Sequence, residues 1–411
     1  LRQIIDAASR PWQEVRMRTD VAIIGAGPAG LALAAALNGS GLGVTLIERS
    51  PEASLAAPGF DGREIALTHR SQAILRGLGA WQRLAPEEIA PLAEARVLNG
   101  AFPLALRFAP PASGEPLGRL VPNHAIRRTL FEAVAGQASA RLLAGREVTE
   151  LALAAEGARV RLEGGEEIAA RLVVAADSRF STARKRAGIG AEMLDFGRSM
   201  IVCRMAHERP HGATATEWFA HRQTIAMLPL HGAASSAVLT LTPDETERML
   251  ALDPDAFGAE VTRRYEGRLG AMRLISTRHA YPLVAVYAHR FAASRFALLG
   301  DAAVGMHPVT AHGFNFGLSG AALLAAELKR AVARGLDPGG AGALSYYASA
   351  HRRATLPLFL ATNAIARLYG DDRAPARLAR AALISAGAAL PPIRRAIVAR
   401  LMDARPALSA G

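Results

Sequence analysis

Val21-Ala22-Ile23-Ile24 is a short apolar run that passes at once into Gly25-Ala26-Gly27-Pro28-Ala29-Gly30 and then into helix-forming residues 31–38. Few local patterns restrict a fold as much: strand, glycine turn and helix in immediate succession predict the opening of a βαβ unit on a parallel sheet. In such a turn Gly25 permits the tight bend, Gly27 removes a side chain where a pyrophosphate would lie, and Gly30 lets helix and strand pack closely. Val44-Thr45-Leu46-Ile47 reads as the next strand. It ends on Glu48, eighteen residues after Gly30, where a carboxylate accepts the hydroxyls of an adenosine ribose. FAD and NAD both satisfy this pattern.

A second cradle is written into residues 298–317. Phe296-Ala297-Leu298-Leu299 ends a strand, Gly300 lets the backbone approach a neighbour closely, and Asp301 offers a carboxylate to a hydroxyl donor. Gly313-Phe314-Asn315-Phe316-Gly317 then opens a helix expected to run to about Arg330, whose free N–H groups face anything anionic placed there. The strand 171–176 closes in the same way on Asp177-Ser178-Arg179. Asp177 and Asp301 are therefore expected at two strand ends on one edge of one sheet.

Between these parts the character changes. Strand-like pieces at 200–205, 216–220, 223–228, 236–241 and 273–281 surround helices near 243–250 and 255–267, which predicts a largely antiparallel layer inserted into the first domain. Residues 93–108 alternate like paired strands broken at Asn99-Gly100. Trp218, Phe219 and Met227 are candidates for the wall of an aromatic or lipid-like pocket. Past Arg330 the chain is helical and basic. Apolar positions at 355–360 and Ile365, followed by Arg367, Arg373, Arg377 and Arg380 and by the run 394–402, suit helices resting on an anionic membrane surface.

A chain of 411 residues exceeds one ordinary core, so two packed domains and an appendage are expected. The net charge of +12 invites a nucleic-acid reading, but only Lys185 and Lys329 among the 48 basic residues are lysines. An arginine skew spread through the whole chain fits GC-rich coding as well as function, and no nucleic-acid partner is expected. The single cysteine, Cys203, rules out an internal disulfide and any multi-cysteine metal site, and reads as a buried strand thiol. No metal is expected. No stretch supplies the roughly 20 apolar residues of a spanning helix, and no signal peptide is visible. Leu1 and the Met17-Arg18-Thr19-Asp20 directly before the first strand raise two expectations, that Leu1 is a literal translation of a non-ATG start or that residues 1–16 lie ahead of the native start.

The Gly25 to Gly30 turn with Glu48, the Asp177 strand end, the Trp218 to Leu230 layer and the Gly300 to Gly317 loop together resemble the single-component flavoprotein aromatic hydroxylases over nearly the whole chain. Arg63 to Thr68, Asn123 to Leu130 and Gly300-Asp301-Ala302-Ala303 look most like the ubiquinone-biosynthesis hydroxylases. The run Met306-His307-Pro308-Val309-Thr310-Ala311-His312-Gly313 is most similar to their UbiM branch. The resemblance implies an α/β fold, with an FAD-binding Rossmann-like domain at 18–92, 114–198 and 290–335. An inserted antiparallel-sheet substrate domain would take 93–113 and 199–289, and a helical region 336–411.

It implies FAD held by Gly25, Gly27, Pro28, Ala29, Gly30, Glu48 and Arg49, with the Val148 backbone near the adenine. Arg63 and Asn123 would lie near the pyrophosphate and ribityl chain, Asp177, Gly300 and Asp301 at the strand ends, and Gly313, Phe314 and Asn315 under the flavin ring. Pro308 would sit beside the flavin, and His307 and His312 are candidates for proton management. The implied chemistry is reduction of FAD by NAD(P)H, reaction with O2 to a flavin hydroperoxide, and hydroxylation of a polyprenylated phenol in ubiquinone biosynthesis. The implied setting is cytoplasmic, with peripheral contact to the inner membrane through the basic C-terminal helices and with a ubiquinone-biosynthesis assembly as partner. Ser178 stands where the family usually has Gly, and Val304 where it usually has His. These departures motivate a competing reading as a non-catalytic flavin-binding subunit. Hydroxylation of a soluble aromatic and flavin-dependent reduction of an isoprenoid are two further readings.

Overall fold

The computed structural model describes residues 17–102, 104–109, 114–220, 223–308, 312–370 and 373–389. The expectations for residues 1–16, 309–311 and 394–402 lie outside them. The chain runs through β1 (Met17–Ile24), α1 (Pro28–Ala36), β2 (Val44–Glu48), β3 (Glu64–Leu67), α2 (His69–Gly77), β4 (Ala90–Leu92), β5 (Glu94–Asn99), β6 (Leu106–Phe108), β7 (Gly118–Pro122) and α3 (Asn123–Ala135). It continues through β8 (Ala140–Ala144), β9 (Val148–Leu153), β10 (Ala158–Leu162), β11 (Glu167–Ala175), β12 (Ala191–His207), β13 (Thr214–Ala220), β14 (Gln223–Pro229) and β15 (Ala234–Leu241). Helices α4 (Pro243–Ala251) and α5 (Pro254–Arg264) precede β16 (Met272–Leu274), β17 (His279–Ala288), β18 (Ala292–Ala293), β19 (Phe296–Leu298) and β20 (Val304–Gly305). The last elements are α6 (Gly313–Ala333), α7 (Ala341–Gly370) and α8 (Ala374–Ala389).

The first sheet has eight strands in the order β18-β19-β11-β1-β2-β8, with β10 and β9 attached at β11. Strands β19, β11, β1, β2 and β8 run parallel. Strand β1 is buried on both faces, as a parallel strand must be. Val21 and Ile23 enter a core with Leu31 and Leu33 of α1 and Leu324 and Leu328 of α6, while Ala22 and Ile24 enter a second core with Val173 and Leu298. Because β1, β11 and β19 are parallel, their ends carry Gly25, Asp177 and Gly300-Asp301 to one edge, as the sequence predicts.

The second sheet has nine strands, β20-β17-β12-β15-β14-β13-β5-β6 with β16 beside β12. All of its pairs are antiparallel except β13 with β5, which the hairpin pattern of residues 93–108 did not reveal. Its alternation assigns the faces. Ile201, Cys203, Trp218, Ile225, Met227 and Leu239 form a core with Phe257 and Val261 of α5, whereas Met200, Val202, Phe219, Ala226, Leu228 and Val238 face a cavity. Trp218 and Met227 are thus core residues, and of the three wall candidates only Phe219 lines the cavity. Burial pushes the Cys203 thiol up to about 12, an inert strand thiol. The predicted strand 273–281 is divided between β16 and β17, and β12 runs unbroken through residues 198 and 199. A third, small sheet has the order β3-β7-β4. The buried Glu64 carboxylate of β3 accepts from Arg204 of β12 at 2.6 and 2.9 Å and so joins it to the second sheet.

Helix α7 crosses the first sheet, where the Tyr347 hydroxyl donates to the Leu298 carbonyl at 2.7 Å. At its far end Tyr369 packs its ring 3.7 Å from that of Phe219. Arg380 of α8, expected on an outward basic face, is instead 2 % exposed and donates to the Tyr369 carbonyl.

Candidate active site

At the first cradle Gly25 has φ of +106°, and a Cβ there would stand 2.6 Å from the Ala176 carbonyl oxygen. A Cβ on Gly30 would collide with the Gly25 carbonyl. Both glycines are thus required by backbone packing. Gly27 differs: a Cβ there would meet nothing within 4 Å, because the residue borders open cavity with Pro28 and Ala29. Glu48 accepts the Ala26 N–H at 2.8 Å and the Ser50 N–H at 2.9 Å, which holds its carboxylate over the turn beside Arg49.

The other strand ends meet the same space. Arg179 donates to Asp301 at 3.0 Å and to the Val284 carbonyl at 3.1 Å, so a cation from the Asp177 loop fixes the carboxylate of the Gly300 loop. Buried Arg184 donates to the carbonyls of Arg179 at 3.2 Å and Ala302 at 2.9 Å and locks the two loops together. Asp177 accepts from the Ala183 N–H through Oδ2, while its buried Oδ1 has no partner among the described residues. Gly300 has φ of +60°, and a Cβ there would press 2.9 Å from Ala29 Cβ. Its lack of a side chain brings α1 and the Gly300 loop together.

Helix α6 starts at Gly313 with His312 as its N-cap residue, and no side chain caps it. Its first N–H groups therefore retain their positive end. Asn315 is turned away from this task. Its Oδ1 accepts the Thr68 N–H at 3.2 Å and its Nδ2 donates to the Ala66 carbonyl at 2.9 Å, clamping α6 to the β3 to α2 turn. Pro308, His312, Gly313, Phe314 and Asn315 all border the cavity. His307 does too, and Phe196 meets its ring edge-on at 4.7 Å. Phe196 lies where the β12 to β17 register shifts, between Asp195 and Ser199, and such a bulge re-aims a side chain out of the pleat. Burial lowers the His307 pKa to about 4, so its imidazole is neutral at neutral pH.

Arg63 and Asn123 converge on a residue that the sequence reading passed over. Asp61 accepts from Arg63 at 2.6 and 3.2 Å and from Asn123 Nδ2 at 2.7 Å, and its carbonyl accepts from the Tyr281 hydroxyl at 2.9 Å. Burial alone would raise the Asp61 pKa, but the hydrogen bonds and charge of Arg63 outweigh it and hold the group below its usual value. Arg63 and Asn123 border the cavity. Val148 does not: it opens β9 and packs in the core with Val160 and Ile168. Of the two departures, Val304 is buried in β20 opposite Tyr287 and does not line the site, whereas Ser178 does.

Gly27, Glu48, Arg63, Asn123, Asp177, Asp301 and the start of α6 border one continuous cavity of about 2620 Å³. That exceeds the roughly 300–1,000 Å³ of a small-molecule pocket and leaves room for a dinucleotide and a second molecule. Open space at Gly27, an uncapped helix start and an unpartnered carboxylate oxygen at Asp177 all suit a phosphate- and hydroxyl-bearing group. Phe196, Asp61, Arg179 and Thr68 escaped the sequence reading. A salt bridge between loops and a side-chain clamp across 247 residues have no local signature, and Gly197 was the one local sign of the bulge.

Comparison with known proteins agrees with this geometry. The FAD binding domain family matches residues 18–356. Ubiquinone hydroxylase UbiM of Neisseria meningitidis is 43 % identical over 98 % of this chain and 91 % of its own length. Ubiquinone hydroxylase UbiL of Rhodospirillum rubrum is 38 % identical over 93 % of this chain and 89 % of its own. Among solved structures P. aeruginosa PqsL superposes with a TM-score of 0.74 at 20 % identity, covering 90 % of this chain and all of its own, which speaks for the fold alone.

Proposed function

This chain belongs to the FAD-binding-domain family and, within it, to the ubiquinone hydroxylases, and on that premise we propose that it hydroxylates the ring of a polyprenylated phenol in ubiquinone biosynthesis. It is an FAD-dependent aromatic monooxygenase, with NAD(P)H as reductant and O2 as co-substrate. The observation that carries the choice of substrate is the continuity of the cavity. It leads from Gly27 and Asp301 along the face of the second sheet to Ile365, Tyr369 and Leu383 at the C-terminal helices.

Bound FAD supplies the reductive activation of oxygen. In our assignment Gly27 would lie against the pyrophosphate in a turn shaped by Gly25 and Gly30, Glu48 would receive the adenosine ribose, and Asp301, oriented by Arg179, would hold the ribityl hydroxyls. The uncapped start of α6 at Gly313 would favour negative charge on a flavin ring held there. Neutral His307, packed against Phe196, helps to keep water from the reacting atoms. A phenol is an activated ring, so no strong general base is needed.

No helix of the described residues is long and apolar enough to cross a membrane. Leu360, Leu378 and Leu383 are 57 %, 72 % and 55 % exposed, and the last also borders the cavity. We assign this end as the entrance for a prenylated substrate from a membrane surface. The test is to incubate FAD-loaded protein with NADPH, O2 and a short-chain prenylphenol. Substrate-stimulated NADPH oxidation with a product one oxygen heavier is expected. Stimulation by a water-soluble phenol alone would overturn the substrate assignment, and loaded protein that forms no product would favour the non-catalytic reading. Expression in cells blocked at single ubiquinone hydroxylation steps then identifies the ring position.

A further inference from the structure

Residues 61–63 form a turn that is seated on the second sheet. Gly62 has φ of +77°, and a Cβ there would stand 2.7 Å from Val202 Cγ2 and 2.9 Å from the Val202 carbonyl oxygen of β12. Only glycine lets the turn come so close. The Tyr281 hydroxyl of β17 donates to the Asp61 carbonyl at 2.9 Å, and the Arg63 guanidinium lies over the Tyr281 ring at 5.4 Å. Val202, Tyr281, Arg63 and Asn123 border the cavity, whereas Asp61 stands behind them.

One carboxylate ties the cavity-lining pair together. Asp61 Oδ2 accepts from Arg63 Nη2 at 2.6 Å, from Arg63 Nε at 3.2 Å and from Asn123 Nδ2 at 2.7 Å, while Oδ1 accepts the Arg63 backbone N–H at 3.1 Å. Burial works against this charge, but the bonds and charge of Arg63 and the bond of Asn123 outweigh it, so Asp61 is a carboxylate at neutral pH. These bonds engage Nε and Nη2 of Arg63 and leave Nη1 as a donor for another group.

We propose that Asp61 and Tyr281 are positioning residues for the cofactor: they hold Arg63 and Asn123 as one preset grip on FAD, and through Tyr281 the second sheet takes part in FAD binding. The inference rests on the FAD-dependent reading, with Arg63 as a cofactor residue, and adds where that residue is anchored. Two physical effects oppose each other here. A carboxylate beside Arg63 weakens the pull of the guanidinium on a pyrophosphate, so on charge alone the loss of Asp61 would tighten FAD. Against that, a loose arginine loses rotamer freedom when it binds, and one already held in a fork loses little. The Arg63 side chain is 40 % exposed, so solvent screens the charge effect and preorganisation is the larger.

The experiment titrates the full-length apoprotein with FAD by flavin fluorescence, for wild type, Asp61→Asn, Tyr281→Phe, Arg63→Gln and the double variant Asp61→Asn with Arg63→Gln. Asp61→Asn is expected to weaken FAD about tenfold, Tyr281→Phe about threefold and Arg63→Gln about tenfold or more. The double variant should bind within about twofold of Arg63→Gln alone. That non-additivity shows Asp61 acting through Arg63, since a merely structural role weakens FAD by the same factor in both backgrounds. The melting temperature of each apoprotein against FAD-stripped wild type shows that it is folded. Unchanged or tighter FAD binding in Asp61→Asn, unchanged binding in Tyr281→Phe, or multiplying losses in the double variant overturns the positioning role, and a loss in Arg63→Gln then leaves the cofactor reading standing. Unchanged affinity in Arg63→Gln removes Arg63 from the cradle and this inference with it, and wild type that binds no FAD overturns the cofactor reading itself.

Discussion

Gly27 and Gly30 look alike in the motif, yet the structure gives them different duties. A side chain at Gly27 enters empty cavity, so Gly27→Val should fold with the melting temperature of FAD-stripped wild type and purify without FAD. A yellow, fully loaded variant would refute the cradle. A side chain at Gly30 meets the Gly25 carbonyl, so Gly30→Ala should cost several kcal/mol of stability itself, on the order of an overpacked core. His307 offers a different test. Burial holds its folded pKa near 4, below the roughly 6.5 of the unfolded chain, so the unfolded state takes up the proton first as pH falls. The stability that this neutral imidazole contributes is complete above about pH 6.5 and is lost as pH drops toward 4. Urea unfolding of wild type at pH 5 should therefore show roughly 2 kcal/mol more acid destabilisation than the His307→Gln variant. Equal slopes would show that the ring is solvated.

At the scale of elements the site is an agreement between separate pieces rather than a motif. Strands β1, β11 and β19 could be read one by one, because each is an apolar run closing on Gly or Asp, and parallel pairing then brings their ends together. How α6 is held at that edge was not legible. Asn315 was expected beneath a cofactor ring, and its side chain is instead bonded to Thr68 and Ala66. Asn315→Ala leaves a buried donor and a buried acceptor open, and should cost about 1–3 kcal/mol in thermal unfolding while weakening FAD. Loss of FAD affinity with no loss of stability would mean that the side chain touches the cofactor directly. The β12 bulge makes a related point: Phe196 reaches His307 because the register slips at Gly197, whose φ of +60° marks the slip, while the partner it reaches lies far away in sequence.

At the scale of the whole molecule, the C-terminal helices close a cavity whose other walls belong to both sheets. The basic, apolar pattern predicted helices on a membrane, but Arg380 turned inward to Tyr369, while Arg367 and Arg373 border the cavity mouth. Exposed leucines lie on these helices together with the exposed Arg367 and, just before α8, the exposed Arg373. Leu360→Glu with Leu378→Glu should abolish co-sedimentation with anionic vesicles and leave turnover of a short-chain phenol unchanged. Undiminished co-sedimentation would remove this face from any membrane contact.

Local order along the chain determined the dinucleotide cradle, the order of the strands' ends and the presence of an inserted sheet, because glycine turns and apolar periodicity act between neighbours. Only the tertiary structure decided which face of that sheet sees the cavity and that Asp61 gathers Arg63, Asn123 and Tyr281. Those facts depend on register, bulges and burial between residues far apart in sequence, and a one-residue slip would send Phe219 into the core and Trp218 into the cavity.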